Sequence, residues 1–207
     1  VDSGLAKFLA NKSDEKKIPC FGVLGNLILS FSKLLNQQAS HVPSGQHALN
    51  EEYYDRIEAI QFTMNHDDGN LIREIEKSDI VILGVSRTSK TPTSIYLANR
   101  GFKTSNIPLV NENSIPKSLK ENPKNTCVVG LTTEAERLVD IRKNRMVSLK
   151  EKENTSYTDI KKIKEEVENA KKTFMKYKWP TIDVTRKSVE EVAASIIKIY
   201  EIYKSNE

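Results

Sequence analysis

Four short apolar segments that alternate with longer amphipathic segments constrain the fold of this chain most strongly. The short segments have the length and the polar flanks of buried strands, and the longer ones repeat their apolar residues with helical spacing. Strands are predicted at residues 80–83, 106–110, 127–131 and 181–184, and helices at residues 91–100, 133–144, 158–177 and 188–203. Strands that are joined through helices form a parallel sheet. The sequence therefore predicts an α/β fold with a parallel sheet flanked by helices.

The N-terminal part of the chain is predicted to be a separate, partial α/β region. The segment "IPCFGV" at residues 18–23 indicates a strand, and a helix follows, because apolar residues recur there every three or four positions. One buried helix face is expected from Leu24, Leu27, Ile28, Phe31, Leu34 and Leu35. The chain begins with Val1 and not with Met, so we expect that further sequence precedes it. The predicted domains are residues 1–48 and 49–207, with a linker in "QQASHVPSGQHALN".

Composition and charge exclude several classes of protein. The net charge of +4 and the pI near 8.9 are only mildly basic, and no basic segment is interleaved with aromatic residues as in nucleic-acid-binding proteins. No apolar run has membrane-spanning length, and no signal peptide opens the chain. Cys20 and Cys127 form no CxxC motif and are interpreted as buried thiols. We therefore expect a cytoplasmic protein that binds neither nucleic acid nor a membrane.

The segment "GVSRTSKT" runs from the first predicted strand into the next helix. It matches the phosphate-binding pattern G-x-x-x-x-G-K-[ST], except that Ser89 replaces the second glycine. Such a loop binds phosphate through backbone N–H groups, a lysine and a hydroxyl that ligates Mg²⁺, and Lys90 and Thr91 occupy these last two positions. Arg87 adds a second cation. A structural turn is the alternative, but the position between a strand and a helix favours a phosphate site.

A second candidate site is the acidic turn "NHDDGN". A calcium loop is excluded, because Gly69 at its sixth position would make Met64 the first ligand. Local sequence favours a turn that caps a helix, whereas the functional alternative is that Asp67 and Asp68 bind metal or transfer a proton beside the loop. The tetrapeptide "NKSD" at residues 11–14 matches a guanine-recognition motif, but it precedes the loop and follows no strand. A solvated loop is the preferred interpretation there.

Three segments together resemble the regulatory proteins of pyruvate, phosphate dikinase and of phosphoenolpyruvate synthase: "RIEAIQFTMNHDDG", "DIVILGVSRTSKTPTSIYLANRGFKTSNIPLV" and "IDVTRKSVEEVAASI". The resemblance covers essentially the whole chain, and a serine at the position of Ser89 is usual in that family, as is additional N-terminal sequence. It implies a P-loop kinase-like C-terminal domain that uses ADP to phosphorylate a threonine of the target enzyme. It also implies removal of that phosphate by inorganic phosphate, which releases pyrophosphate.

The resemblance gives roles to individual residues. Lys90 is expected to be catalytic, and Asp68, with Asp67 beside it, is the preferred acid/base, although the sequence alone does not choose between the two aspartates. ADP or phosphate is expected to contact Gly84, Val85, Ser86, Arg87, Thr88, Ser89, Lys90, Thr91, Thr185 and Arg186. The last two would form a wall for the adenosine, Thr91 would ligate Mg²⁺, and Arg142 or Arg145 are further candidates for a phosphate contact. The partner would be the dikinase or the synthase, and a homodimer is left open.

Two other functions share these features. A small-molecule P-loop kinase would have the same fold and loop, and a nucleotide-sensing switch would bind ADP without transferring a phosphoryl group. Only the family-wide resemblance argues against them. Incubation with candidate targets and either ADP or ATP separates the three functions, because only a protein kinase of the expected kind labels a target from ADP.

Overall fold

The computed structural model describes residues 3–38, 51–70, 72–121, 126–149 and 157–205. The chain divides into two compact units, Val1–Asn50 and Glu51–Glu207. Most of the predicted linker lies outside the described residues.

The first unit contains two helices, α1 (Ser3–Glu15) and α2 (Gly25–Leu35). The predicted helix is thus confirmed as α2, whereas α1 has no counterpart among the predicted elements. The "NKSD" tetrapeptide at residues 11–14 belongs to α1 and not to a loop, although most of its side chains are exposed. The guanine-recognition motif therefore lies on a solvated helix surface.

Two predictions for the first unit are wrong. Residues 18–23 form turns and irregular backbone, because a strand needs a neighbour and no other strand occurs in residues 3–38. The apolar face of α2 is also not buried: none of its described side chains is, and Leu34 is 78% exposed. Two short helices bring too few apolar side chains together to enclose a core.

The second unit is built on one sheet of four parallel strands in the order β2-β1-β3-β4. The strands are β1 (Ile80–Gly84), β2 (Thr104–Pro108), β3 (Cys127–Thr132) and β4 (Thr181–Asp183). The predicted α/β fold with a parallel sheet is confirmed. Because parallel strands share one direction, the segments that follow them emerge at the same edge of the sheet, and β1 lies at its centre.

Helices cover both faces of this sheet. They are α3 (Glu51–Asn65), α4 (Lys90–Ala98), α5 (Lys117–Lys120), α6 (Ala135–Leu149), α7 (Ile160–Lys176) and α8 (Val189–Ser205). Short 3₁₀ helices occur at Asp67–Gly69, Ile72–Lys77 and Glu112–Ser114. Within the described part of the chain, no helix is both long enough and apolar enough to cross a membrane.

The side chains of β1 alternate between two buried clusters. Val81 and Leu83 pack with Phe174 of α7 on one face, and Ile80 and Ile82 pack with α4 and α8 on the other. Gly130 of β3 makes the first cluster possible, because a Cβ atom there would lie 2.6 Å from the ring of Phe174. The central strand is therefore buried on both faces, as its continuous apolar run predicts.

The two cysteines are both free, but they differ in exposure. Cys127 is buried, as predicted, and this burial raises the pKa of its thiol to about 11. Cys20 is exposed, so the prediction of a buried thiol is wrong at this position. The residue lies in the irregular segment that follows α1, where there is no sheet to cover it.

Candidate functional site

The segment from residue 84 to residue 91, here called the GVSRTSKT loop, leaves β1 at the carboxyl edge of the sheet and enters α4. Arg87 and Ser89 both have left-handed backbone conformations, with φ of 73° and 59°. Left-handed residues within a turn direct neighbouring N–H groups into one concavity, which suits an anion. Ser89 also directly precedes the first residue of α4, where the helix dipole favours negative charge. Its conformation is the one that glycine adopts without strain, which explains why similar loops have glycine there.

Three residues of the GVSRTSKT loop shape its interior. The Thr88 hydroxyl donates to the Val85 carbonyl at 3.0 Å. A Cβ atom at Gly84 would lie 2.6 Å from Thr88 Oγ1 and 2.9 Å from the Leu131 carbonyl oxygen. Glycine is therefore required at residue 84 so that the loop can fold against β3, and this reason differs from the close approach to phosphate expected from the sequence. Gly84, Val85 and Thr88 are not among the residues that line the cleft described below.

Lys90 is buried at the first position of α4. Only 5% of it is exposed, and its Nζ donates to the Val85 carbonyl oxygen at 3.1 Å. Burial lowers the pKa of Lys90 to about 8, while the nearby carboxylates of Asp68 and Asp67 oppose this shift and the charge of Arg87 adds to it. A phosphate group beside Nζ would stabilise its charged form. The ammonium group is thus placed where an anionic ligand gains most from it.

A cleft of about 460 Å³ opens beside the loop. It is lined by Asp68, Ser86, Arg87, Ser89, Lys90, Thr91, Pro92, Pro108 and Ile141. The cleft is lined by cations, hydroxyl groups and one carboxylate, and a smaller part of its wall is apolar. The structure therefore brings the polar part of the GVSRTSKT loop and one aspartate of the acidic turn into a single site.

The two aspartates of the acidic turn have different surroundings. Asp67 Oδ1 accepts a hydrogen bond from the Thr91 hydroxyl at 3.0 Å and another from the side-chain amide of Asn106. Asp68 lines the cleft, and its backbone is left-handed, with φ of 50° and ψ of 35°. The partners of Asp67 are side chains of α4 and β2 and not helix N–H groups, so helix capping does not explain the turn. Sequence reasoning missed Asn106, because a buried polar residue gives no periodic signal.

Arg142 of α6 supports the GVSRTSKT loop from its other side. It is 1% exposed, and its Nη2 lies 2.6 Å from Glu166 Oε2 and donates to the Ser86 carbonyl oxygen at 3.4 Å. Its guanidinium also lies over the ring of Tyr157, 4.6 Å from the centroid. Burial alone would raise the pKa of Tyr157, but hydrogen bonds with Ser86 and Arg87 and the charges of both arginines hold it below its usual value. Arg142 thus contacts the loop backbone.

Other candidates lie outside the cleft. Thr185 follows β4, where its hydroxyl lies 3.2 Å from Thr133 Oγ1 and accepts the Glu134 N–H at 3.0 Å. It therefore connects the segments that follow β3 and β4. Neither Thr185 nor Arg186 lines the cleft, and their assignment to the adenosine wall stays a prediction. Arg145 is exposed on α6.

The oxygen atoms of the site would suit Mg²⁺ that is coordinated in part by the phosphates of a nucleotide. Among the described residues there is no cluster of three or more His, Cys, Asp or Glu side chains that would hold a metal ion by themselves. Mg²⁺ in nucleotide sites, however, commonly uses one or two protein oxygens together with phosphate and water oxygens. Thr91 lines the cleft, and its Oγ1 lies 3.0 Å from Asp67 Oδ1, so these two oxygens could be such ligands.

Comparison with known proteins gives consistent matches over nearly the whole chain. The family model described as "Kinase/pyrophosphorylase" matches residues 1–197. Three relatives carry the name "Putative pyruvate, phosphate dikinase regulatory protein". The one from Pelagibacter ubique (strain HTCC1062) is 80% identical over 206 residues, which are 100% of this chain and 75% of the relative. Those from Erythrobacter litoralis (strain HTCC2594) and Sphingopyxis alaskensis are 50% and 47% identical over 97% of this chain, and the matches cover 72% and 74% of their lengths.

Proposed function

Since this chain belongs to the kinase/pyrophosphorylase family of enzymes, we propose that it regulates pyruvate, phosphate dikinase by reversible phosphorylation. In one direction, a threonine of the target and ADP give phosphothreonine and AMP. In the other, phosphothreonine and inorganic phosphate give threonine and pyrophosphate. The observation that carries the proposal is the cleft in which Lys90, Thr91 and Asp68 meet at the N-terminus of α4. The names of the relatives favour the dikinase as target over phosphoenolpyruvate synthase.

The kinase reaction needs positioning and charge neutralisation more than covalent catalysis. Lys90, Arg87 and the N–H groups of the GVSRTSKT loop would bind the β-phosphoryl group of ADP. Mg²⁺, held by Thr91 and Asp67, would neutralise further charge on the phosphate oxygens. Asp68 would accept the proton of the threonine hydroxyl. The threonine oxygen then bonds to the β-phosphorus of ADP, and the bond between this phosphorus and the AMP oxygen breaks. The side-chain partners of Asp67 and the place of Asp68 in the cleft support this division of roles.

The phosphorylase reaction would use the same groups to remove the phosphoryl group from the target threonine. Inorganic phosphate would occupy the GVSRTSKT loop, and one of its oxygens would attack the phosphorus of the phosphothreonine. The bond between that phosphorus and the threonine oxygen breaks, and Asp68, which would take the proton of the attacking phosphate, gives it to this oxygen. Pyrophosphate then leaves from the loop. One site would therefore serve both reactions, because both place a phosphoryl group against Lys90.

The choice of nucleotide tests the proposed function. ADP would place its last phosphoryl group at Lys90, so the third phosphate of ATP would extend into the space of the acceptor threonine. We expect the dikinase to be phosphorylated with ADP, with AMP as the product, and we expect added ATP to inhibit this reaction. Labelling of the dikinase, and of phosphoenolpyruvate synthase in parallel, measures both effects. Efficient transfer from ATP with ADP as product would contradict the proposal and favour an ordinary P-loop kinase.

The proposal extends to location and assembly. We propose that the protein acts in the cytoplasm and binds no nucleic acid, and we leave the choice between monomer and homodimer open. Light scattering coupled to size-exclusion chromatography measures the mass of the assembly, for comparison with 23.5 kDa for one chain.

A further inference from the structure

Asn106 of β2 contacts each of three consecutive residues in the acidic turn. Its backbone N–H donates to the His66 carbonyl oxygen at 3.3 Å. Its side-chain Nδ2 donates to Asp67 Oδ1, and its Oδ1 accepts the backbone N–H of Asp68 at 3.1 Å. Asn106 is 0% exposed and does not line the cleft. Among the described residues, the hydrogen bonds that join residues 66–68 to the sheet thus all end on this one residue.

The same side chain connects the turn to the helix that begins at the GVSRTSKT loop. Nδ2 of Asn106 also donates to Ser94 Oγ at 3.2 Å, and the Ser94 hydroxyl donates to the Thr91 carbonyl oxygen at 2.8 Å. Thr91 in turn donates through Oγ1 to Asp67. Asn106, Asp67, Thr91 and Ser94 therefore form a closed ring of contacts. Only a side chain with both a donor and an acceptor makes all of these bonds in a buried place.

The bond from Asp68 to Asn106 also explains the backbone of the turn. Asp68 has φ of 50°, a conformation that residues other than glycine seldom adopt without local support. Its N–H group is held by Asn106 Oδ1 in this conformation, and the carboxylate then lies in the cleft. Loss of the side-chain amide would release both the orientation of Asp67 and the conformation of Asp68.

We propose that Asn106 is a positioning residue for phosphoryl transfer, which orients Asp67 and Asp68 without touching the substrate. This inference rests on the proposed function, because it assumes that Asp68 handles the proton of the threonine. In this proposal, Asn106 of β2 fixes the positions of the two aspartates in the acidic turn.

The first test compares two substitutions at residue 106. We expect Asn106→Ala to lower kcat in both directions by about ten- to a hundredfold, because small misplacements of catalytic groups have effects of this size. The KM for ADP should change less than kcat does, since Asn106 does not line the cleft and would affect the nucleotide only through Asp67. Asn106→Asp keeps the shape and the acceptor for Asp68, but it replaces the donor to Asp67 with a second carboxylate that repels it, so we expect a loss as large as with alanine. If Asn106→Asp retains wild-type kcat, Asn106 only fills space and the inference is wrong.

Ser105→Ala is the matched control. Ser105 precedes Asn106 in β2 and is 2% exposed. The substitution removes one buried hydrogen bond, between the Ser105 hydroxyl and the Ser78 hydroxyl at 2.7 Å. We expect this variant to keep the wild-type kcat although it loses a buried hydrogen bond of the same strand. An equal fall of kcat in Ser105→Ala would show that any weakening of β2 lowers activity, and it would overturn the specific role of Asn106.

A double-variant cycle tests whether Asn106 acts through the acidic turn. In the Asp68→Asn background, Asn106→Ala should lower kcat by clearly less than in the wild-type background, because the part of its effect that acts through Asp68 is already lost and only the part through Asp67 remains. Multiplication of the two single effects would contradict the inference. Absence of ADP-dependent transfer by the wild-type protein would instead refute the proposed function, so the two failures are distinguishable. Thermal unfolding of each variant confirms that the compared proteins are folded.

Discussion

Replacing Lys90 with methionine should lower both the kinase and the phosphorylase rate by about a hundred- to a thousandfold, the usual effect of removing a group that stabilises transition-state charge. Methionine keeps the length of the side chain in a place that is 5% exposed, so the loss reports the ammonium charge and not a cavity. Both rates should fall together, because both reactions place a phosphoryl group against the same atom. Initial rates with the dikinase and ADP, and with the phosphorylated dikinase and phosphate, measure this.

Lys103→Met is the control for the Lys90 variant. It removes the same charge from a lysine that pairs with Glu58 at 2.6 Å and does not line the cleft, and we expect near wild-type rates. The pH response gives a second signature. Because burial lowers the pKa of Lys90 to about 8, the wild-type KM for ADP should rise above that pH as the ammonium loses its proton. Near wild-type activity of Lys90→Met in either direction would show that the GVSRTSKT loop is a structural turn.

Asp68→Asn should slow transfer in both directions by roughly a hundredfold, while ADP binding stays close to that of the wild type. The amide has the shape of the carboxylate but cannot accept the proton of the threonine hydroxyl. Asp67→Asn is the matched variant, because Asp67 receives hydrogen bonds from Thr91 and Asn106 and would ligate Mg²⁺. We expect it to weaken Mg²⁺-dependent ADP binding as well as the rate. Calorimetric titration with ADP and measurement of kcat separate the two effects.

Two results would change the assignment of Asp68. If the affinity for ADP falls together with the rate in Asp68→Asn, this residue organises the metal and not the proton. If the kinetics do not change, the acidic turn has only a structural role. The account predicts neither, because Asp68 lies in the cleft while the Thr91 hydroxyl binds Asp67.

The sheet and its helices could be predicted because their signal is local. Three of the four strands of the second unit are runs of mostly buried residues, and in β1 all five residues are buried, whereas in β4 only Ile182 is buried. The prediction for β2 began two residues late, at residue 106, because Thr104 and Ser105 are buried polar residues. Periodicity reports the burial of apolar side chains and does not detect burial that depends on hydrogen bonds.

The candidate site was predicted in part for the same reason. Lys90 and Thr91 have fixed offsets within one segment, so sequence placed them together. Asn106 and Asp67 are 39 positions apart in the chain, and only the parallel sheet brings them into contact. The proposed choice of Asp68 over Asp67 as the acid/base depends on the left-handed backbone of Asp68, which the sequence pattern did not predict. The strand predicted at residues 18–23 failed because pairing is a property of two segments.

The product that receives the phosphoryl group of the phosphorylated dikinase tests most directly whether the GVSRTSKT loop serves both the kinase and the phosphorylase reaction. The phosphorylated dikinase is incubated with this protein, Mg²⁺ and ³²P-labelled inorganic phosphate, and the products are separated. Phosphorolysis predicts labelled pyrophosphate, formed one-for-one with the loss of phosphothreonine and abolished by Lys90→Met. Release of the threonine phosphate as unlabelled inorganic phosphate, with no pyrophosphate, would mean hydrolysis by water and would contradict the account.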